Sequence, residues 1–328
     1  MLNYCSVCLL LLTALALEVQ AASIPPPKPV LPPAPEGVII RQDVSYLAPG
    51  REEKLDLYLP ADRAKDIRSP AIVFIHGGGW VGGDKAEGRA FNNCTAFAQA
   101  GYVAVSINYT LERGKCWPTN LRDCKNAVRW LRVNADKYQI DAGHIGVIGG
   151  SAGGHLALMV AYTSHVPFLK PASPYPLVSD EVQCVVDLYG ITNLLTRQKP
   201  DDNGTPTGIT YTTQALMKRT RDEDPDAWKL GSPVYHVSKM NCPPTLILHG
   251  TADATVDRDQ ATELAKKLEE HGVEHQLIMI EGVGHTFDLQ TWAKKPLPYD
   301  LRPIVVGFFD KHLKAKCPVS SRTSPVVE

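Results

Sequence analysis

The sequence predicts an α/β fold: one eight-stranded, mostly parallel sheet with helices on both faces, carrying a loop or cap insertion. Three observations lead there. Short apolar runs alternate with longer helix-compatible stretches, the rhythm of βα units wound on a parallel sheet. Most of the runs are dense in Val, Ile and Leu, as strands covered on both faces require. A chain of 328 residues, 44% hydrophobic and 21% charged, has ample apolar material for one large core.

Taken in order, residues 38–47 and 54–59 read as an opening antiparallel pair, the second alternating Leu55, Leu57 and Leu59 with polar neighbours. Runs at 71–75, 103–107, 145–148, 182–188, 245–248 and 276–280 supply the other six strands. Helices are expected at 92–100, 121–138, 152–162, 257–271 and 302–314. In the second of these, Leu121, Cys124, Val128 and Leu131 recur at the three- and four-residue spacing of one buried face. In the fourth, Leu264 and Leu268 repeat likewise, and Asp257 is placed to cap the helix start. Residues 192–235 have no clean period and are read as an insertion over the active-site end of the sheet, with an ordinary surface loop as the alternative.

Lys plus Arg (34) and Asp plus Glu (35) almost cancel, and no long run of one sign forms a stripe for nucleic acid or anionic membrane. The substrate expected is small or neutral, with no nucleic acid as partner; the oligomeric state stays open. The apolar run at 7–17, followed by Val19-Gln20-Ala21, reads as an export signal over 1–21, which places the protein in a secreted or periplasmic setting. That run is too short to span a bilayer, so no membrane span is expected in the mature chain. A Pro-rich tether (22–36), the main domain (37–316) and a tail (317–328) complete the organisation.

Of the eight cysteines, Cys5 and Cys8 fall in the signal, leaving Cys94, Cys116, Cys124, Cys184, Cys242 and Cys317. No C-x-x-C pair remains to suggest a zinc ribbon, so an exported protein is expected to use them in disulfides. A bridge is expected between two of Cys94, Cys116 and Cys124, which flank the run at 103–107. Cys184, inside a central strand, is expected to stay out of it.

The chemistry concentrates in four places. Gly149-Gly150-Ser151-Ala152-Gly153 stands between a strand and a helix, the context of a nucleophile elbow, and nominates Ser151 as nucleophile. His76-Gly77-Gly78-Gly79-Trp80 ends the run at 71–75, and a glycine run lets backbone N–H groups approach a developing oxyanion. Gly78, Gly79 and Ala152 are the expected donors, with His76 bracing the loop. His249-Gly250-Thr251-Ala252-Asp253 and Gly282-Val283-Gly284-His285 end two later strands, so in a parallel sheet both loops emerge beside Ser151. Among ten histidines only His285 combines a strand end, flanking glycines and the order Ser, Asp, His. Asp257 competes with Asp253 for the acid role, but a helix cap accounts for it, so Asp253 is assigned. Trp80, Tyr109 and Trp117 lie in or after loops near this site; they either stack on an aromatic acyl group or sugar, or pack in the core. Neither metal nor organic cofactor is called for.

H-G-G-G-W at His76, G-G-S-A-G-G-H-L-A at Gly149, H-G-T-A-D at His249 and G-V-G-H at Gly282 resemble the bimodular feruloyl and acetylxylan esterase group of α/β-hydrolases. The likeness extends to the hormone-sensitive-lipase-like carboxylesterases, although Gly150 stands where those have Asp, and residues 201–226 match no motif of the group. The resemblance implies an α/β-hydrolase fold and a serine carboxylic-ester hydrolase whose partner is a small-molecule or oligosaccharide ester, acetyl and feruloyl esters of plant polysaccharide being candidates. A general short-chain carboxylesterase, an arylformamidase and a non-catalytic ligand-binding α/β-hydrolase stand as alternatives.

Overall fold

The computed structural model describes residues 29–64, 66–111, 116–197, 212, 215–290 and 297–314. The expected leader, the tail with Cys317 and, within 192–235, residues 198–211 and 213–214 lie outside the described residues. Strands β1 (Val38–Ser45), β2 (Lys54–Pro60), β3 (Ser69–Ile75), β4 (Val103–Ile107), β5 (Ile140–Gly150), β6 (Cys184–Leu188), β7 (Thr245–Gly250) and β8 (His275–Ile280) make one sheet, ordered β1-β2-β4-β3-β5-β6-β7-β8. β2 runs antiparallel to β1 and β4, and every pairing from β4 to β8 is parallel.

The α-helices among the described residues are α1 (Gly88–Gln99), α2 (Thr119–Val133), α3 (Ala135–Tyr138), α4 (Ala152–Tyr162), α5 (Pro225–Leu230), α6 (Asp259–Glu270) and α7 (Arg302–Leu313). The two-residue period of the strands sorts their side chains into two cores. Ile72, Phe74, Ile148 and Val186 face α1 and α7, where Phe97 and Phe309 meet edge to face. Val73, Val147, Val185 and Ile247 face α2, α4 and α6. Leu121, Val128 and Leu131 of α2 are fully buried there, each worth roughly 1.5–3 kcal/mol of burial.

Two expectations need correction in this layer. The helix expected at 121–138 is interrupted at Asn134, whose side-chain amide donates back to the Trp130 carbonyl at 2.9 Å and ends α2. Asp257 is not the cap of α6: Arg258 holds that position with no side-chain cap bond, and Asp257 instead accepts the Gln260 amide through its carbonyl.

The expected disulfide is also absent. Cys94 belongs to the core under α1, whereas Cys116 and Cys124 belong to the core on the opposite side of the sheet. Cys94, Cys124, Cys184 and Cys242 are buried thiols, and Cys116 donates its Sγ–H to the Ala215 carbonyl at 3.3 Å. Burial pushes the Cys94, Cys124 and Cys184 thiols well above their ordinary value.

Two cations buried beside the second core share one carboxylate. Arg129 donates to Asp180 at 2.6 Å and 3.1 Å, and Lys125 donates to the Thr163 carbonyl at 2.8 Å with Asp180 at 3.5 Å. The described part of 192–235 closes over this side of the sheet: Leu194, Leu216 and Trp228 join its core, and Asp224 caps α5 by accepting the Ala227 amide at 3.1 Å. No helix among the described residues is long and apolar enough to cross a membrane.

Candidate active site

β5 runs into Ser151, which sits at φ 57° and ψ −122°, a conformation an L-residue adopts only under strain of about 1–3 kcal/mol. The flanking glycines are a matter of space. A Cβ on Gly149 falls 2.2 Å from the Gly153 carbonyl oxygen, and one on Gly153 falls 2.1 Å from that of Ile75. The elbow therefore packs directly on the end of β3, and the Ser151 amide donates to the Leu188 carbonyl of β6 at 2.9 Å.

The other two residues of the constellation arrive as a unit. The Ala252 amide donates to the Val283 carbonyl and the Thr251 amide to the Ile280 carbonyl, both at 3.0 Å, so the loops after β7 and β8 are laced together. A Cβ on Gly250 falls 2.1 Å from the Val283 oxygen, which explains glycine there. This lacing brings His285 Nδ1 to 2.6 Å from Asp253 Oδ2, and His285 Nε2 to 2.9 Å from Ser151 Oγ. A carboxylate only accepts, so Nδ1 carries the proton and Nε2 is left to accept from the serine hydroxyl.

Asp253 is itself held from four directions. Its Oδ1 accepts the amides of Thr255 at 2.7 Å and Val256 at 3.0 Å, while Oδ2 takes His285 and stands 3.4 Å from His249 Nε2. Burial pushes this carboxyl up, but the hydrogen bonds from His249 and His285 prevail and hold it well below its ordinary value. Tyr189 supports the histidine loop, donating its hydroxyl to the Phe287 carbonyl at 2.8 Å and standing edge-on to His285 at 4.7 Å.

The glycine loop after β3 lies alongside. Gly78 and Gly79 have φ of 107° and 61°, and both border the same 250 Å³ pocket as Ser151 and His285. Ala152 opens α4, so its amide is one of those without a carbonyl partner in the helix. His76 donates Nδ1–H to the Gly77 carbonyl at 2.7 Å and stacks on Tyr109, whose hydroxyl donates back to the His76 carbonyl at 2.9 Å. His76 thus braces the loop, as expected.

The structure does not put Trp80, Tyr109 or Trp117 on the pocket wall. Tyr109 is the buried partner of His76, and Trp117 borders a separate apolar groove with Met217 and Leu230. Trp80 is fully buried and donates its indole N–H to His155 Nδ1 at 3.3 Å; His155 Nε2–H in turn donates to the Gly231 carbonyl at 2.7 Å. Burial lowers His155 to about 4, so this relay is neutral. The wall is completed by Arg89, Tyr189, Arg197, Thr255 and Thr286, none of them singled out in the sequence. Thr255 and Thr286 sit next to the constellation residues, a proximity that could have nominated them. The two arginines carry no motif at all.

A parallel sheet that delivers a strained serine, a histidine and an aspartate to one pocket is the arrangement of the α/β-hydrolase fold. Residues 55–268 match the BD-FAE family, and the chain belongs to it. Among curated proteins it is similar to esterase LipC of Mycobacterium tuberculosis, 32% identical over 242 residues that cover 71% of this chain and 57% of that one. Esterase LipQ of the same organism is 29% identical over 75% of this chain and 57% of its own length. The chain thus spans somewhat more than half of these relatives. Among solved structures, a truncated carbohydrate esterase from gut microbiota superposes with a TM-score of 0.72 at 26% identity, over 84% of this chain and 97% of that one. The propionate-bound esterase Est2 of Thermogutta terrifontis gives 0.61 at 27% identity, over 78% and 87%.

Proposed function

We propose that the chain is a serine carboxylic-ester hydrolase working through an acyl-enzyme. His285 Nε2 takes the proton of Ser151 as Oγ attacks the ester carbonyl, and Asp253 stabilises the imidazolium that forms. The amides of Gly78, Gly79 and Ala152 hold the tetrahedral oxyanion, each donor of this kind being worth roughly 3–4 kcal/mol in the transition state. His285 then returns the proton to the leaving alcohol and activates water for release of the acid. The observation that carries the reading is the 2.9 Å approach of His285 Nε2 to Ser151 Oγ, with Asp253 on the other ring nitrogen.

For the substrate we favour acetyl esters of plant polysaccharide over feruloyl esters. The carbohydrate-esterase likeness supports the sugar, and a pocket of 250 Å³ whose bordering aromatic is Tyr189 alone among the described residues supports a small acyl group. The apolar run at 7–17 supports export of the enzyme toward such a substrate.

The test is twofold. A fluorophosphonate probe should label the wild-type chain on the peptide containing Ser151, and 4-nitrophenyl acetate should be hydrolysed with a burst that Ser151→Ala abolishes. Labelling elsewhere, or activity of the variant within about tenfold of wild type with a native circular-dichroism spectrum, overturns the assignment.

A further inference from the structure

We propose that Tyr189 is the positioning residue of the Ser151, Asp253 and His285 constellation, holding the His285 imidazole in line, and that Gly150 is glycine in order to admit it; this rests on the esterase reading above. Tyr189 follows β6, which lies in the sheet between the strands that lead to Ser151 and Asp253. Its anchors reach each segment that carries the constellation. The Tyr189 amide donates to the Leu248 carbonyl of β7 at 2.8 Å, its ring fills the space in front of Gly150 on β5, and its hydroxyl donates to the Phe287 carbonyl after β8 at 2.8 Å.

The phenol ring stands between two others. Its centre is 4.7 Å from that of His285 and 4.6 Å from that of Phe287, edge to face in both cases. Contact of this kind fixes the plane of a ring as well as its place. The imidazole serves Ser151 only while Nδ1 faces Asp253, so a fixed plane is what the proton transfer requires. Tyr189 is itself held at φ 44°, a left-handed backbone that a bulky residue adopts only where its surroundings impose it. Burial raises the phenol well above its ordinary value, so the hydroxyl stays a donor at working pH.

The space at Gly150 is reserved for this ring. The three atoms nearest a Cβ there all belong to Tyr189: the hydroxyl oxygen at 2.6 Å, Cζ at 2.9 Å and Cε2 at 3.0 Å. Gly149 and Gly153 are crowded by backbone instead, and Gly150, unlike Gly78 and Gly79, has no positive φ. What a side chain at position 150 meets is therefore the phenol and not the turn.

The full-length protein and 4-nitrophenyl acetate test this. Tyr189→Phe keeps the ring and drops the tie to Phe287; it should lower kcat by about tenfold, the scale of one hydrogen bond, with KM within about twofold. Tyr189→Leu should lower kcat further. Gly150→Ala should do comparable damage, yet the double variant with Tyr189→Leu should turn over no more slowly than Tyr189→Leu alone, because the clash leaves with the ring. In the wild type the Nδ1–H of His285 should give a far-downfield proton resonance, as a short bond to a carboxylate does, and this should broaden or vanish in Tyr189→Phe. A kcat within about twofold of wild type in both Tyr189 variants, a change carried by KM, or losses that multiply in the double variant overturn the proposal alone. An unaltered resonance in Tyr189→Phe does the same, and with kcat it carries the decision where the leucine variants do not fold. A wild type that fails to hydrolyse 4-nitrophenyl acetate overturns the esterase reading and this proposal with it.

Discussion

Asp253 meets His285 through a single oxygen, Oδ2 at 2.6 Å from Nδ1, while its Oδ1 is tied to the backbone by the amides of Thr255 and Val256. The carboxylate is thus fixed in orientation before the histidine reaches it. Its charge, rather than its shape, is what a conservative substitution removes.

Asp253→Asn should therefore lower kcat by roughly 10³–10⁴ with the fold retained, since an amide cannot stabilise the imidazolium and can impose the wrong tautomer. Asp257→Asn should stay within a few-fold of wild type, because both ring nitrogens of His285 are taken by Asp253 and Ser151 and the cap position of α6 is held by Arg258. Steady-state hydrolysis of 4-nitrophenyl acetate by both variants checks the order, and a reversal makes Asp257 the acid.

Gly153→Ala should damage the elbow through backbone crowding. The added Cβ falls 2.1 Å from the Ile75 oxygen and 2.5 Å from the His76 oxygen, atoms of a central strand end that cannot swing aside. Overpacking of this kind costs about 1–3 kcal/mol, visible as a lowered melting temperature together with lost turnover. Gly88→Ala, where a Cβ meets nothing within 4 Å, is the control and should leave both intact.

Asp180→Ala should destabilise the fold by about 3–5 kcal/mol, because Arg129 and Lys125 would remain buried without their counter-charge. Burial already pushes Lys125 down to about 8 against the opposing pull of Asp180. Asp136→Ala, which breaks an exposed pair with Arg68, should cost less than about 1 kcal/mol. Urea denaturation of the two variants separates these cases.

Asp187, on β6, sets a pH dependence of the opposite sense to that of most carboxylates. Its side chain is fully buried, and burial raises it from 3.8 to about 7, with His249 and the Gly190 backbone opposing. The folded chain then keeps a proton that the unfolded chain releases. This contribution is fully present below about pH 4 and is lost as pH rises to about 7, amounting to at most about 4 kcal/mol. Asp187→Asn should gain stability over wild type across that window, with the difference constant above it. Thermal melts at pH 5, 6, 7 and 8 measure this, and a difference that does not grow with pH refutes it.

Much of this architecture was legible in the chain because its signals are local. All eight strands lie where the apolar runs stood, since a strand covered on both faces leaves a continuous mark in sequence. Ser151, Asp253 and His285 were legible for a related reason: each lies in the loop that follows a strand, and a parallel sheet sends such loops to one side. What escaped notice depends on which face an element takes. Cys94 and Cys124 both flank β4 in sequence, and nothing between them reveals that α1 and α2 pack on opposite sides of the sheet. Arg89 and Arg197 lie in a helix and a loop where a charged residue ordinarily marks solvent, so only the assembled pocket shows them. Trp80 carried a strong aromatic signal, yet its indole serves the wall from behind, beneath Arg197.

The burial of the thiols on separate faces of the sheet has a practical side. Among the described residues the five cysteines are thiols divided between two cores, so there is no bridge for a reductant to open. Dithiothreitol should accordingly leave the melting temperature of this domain where it stands.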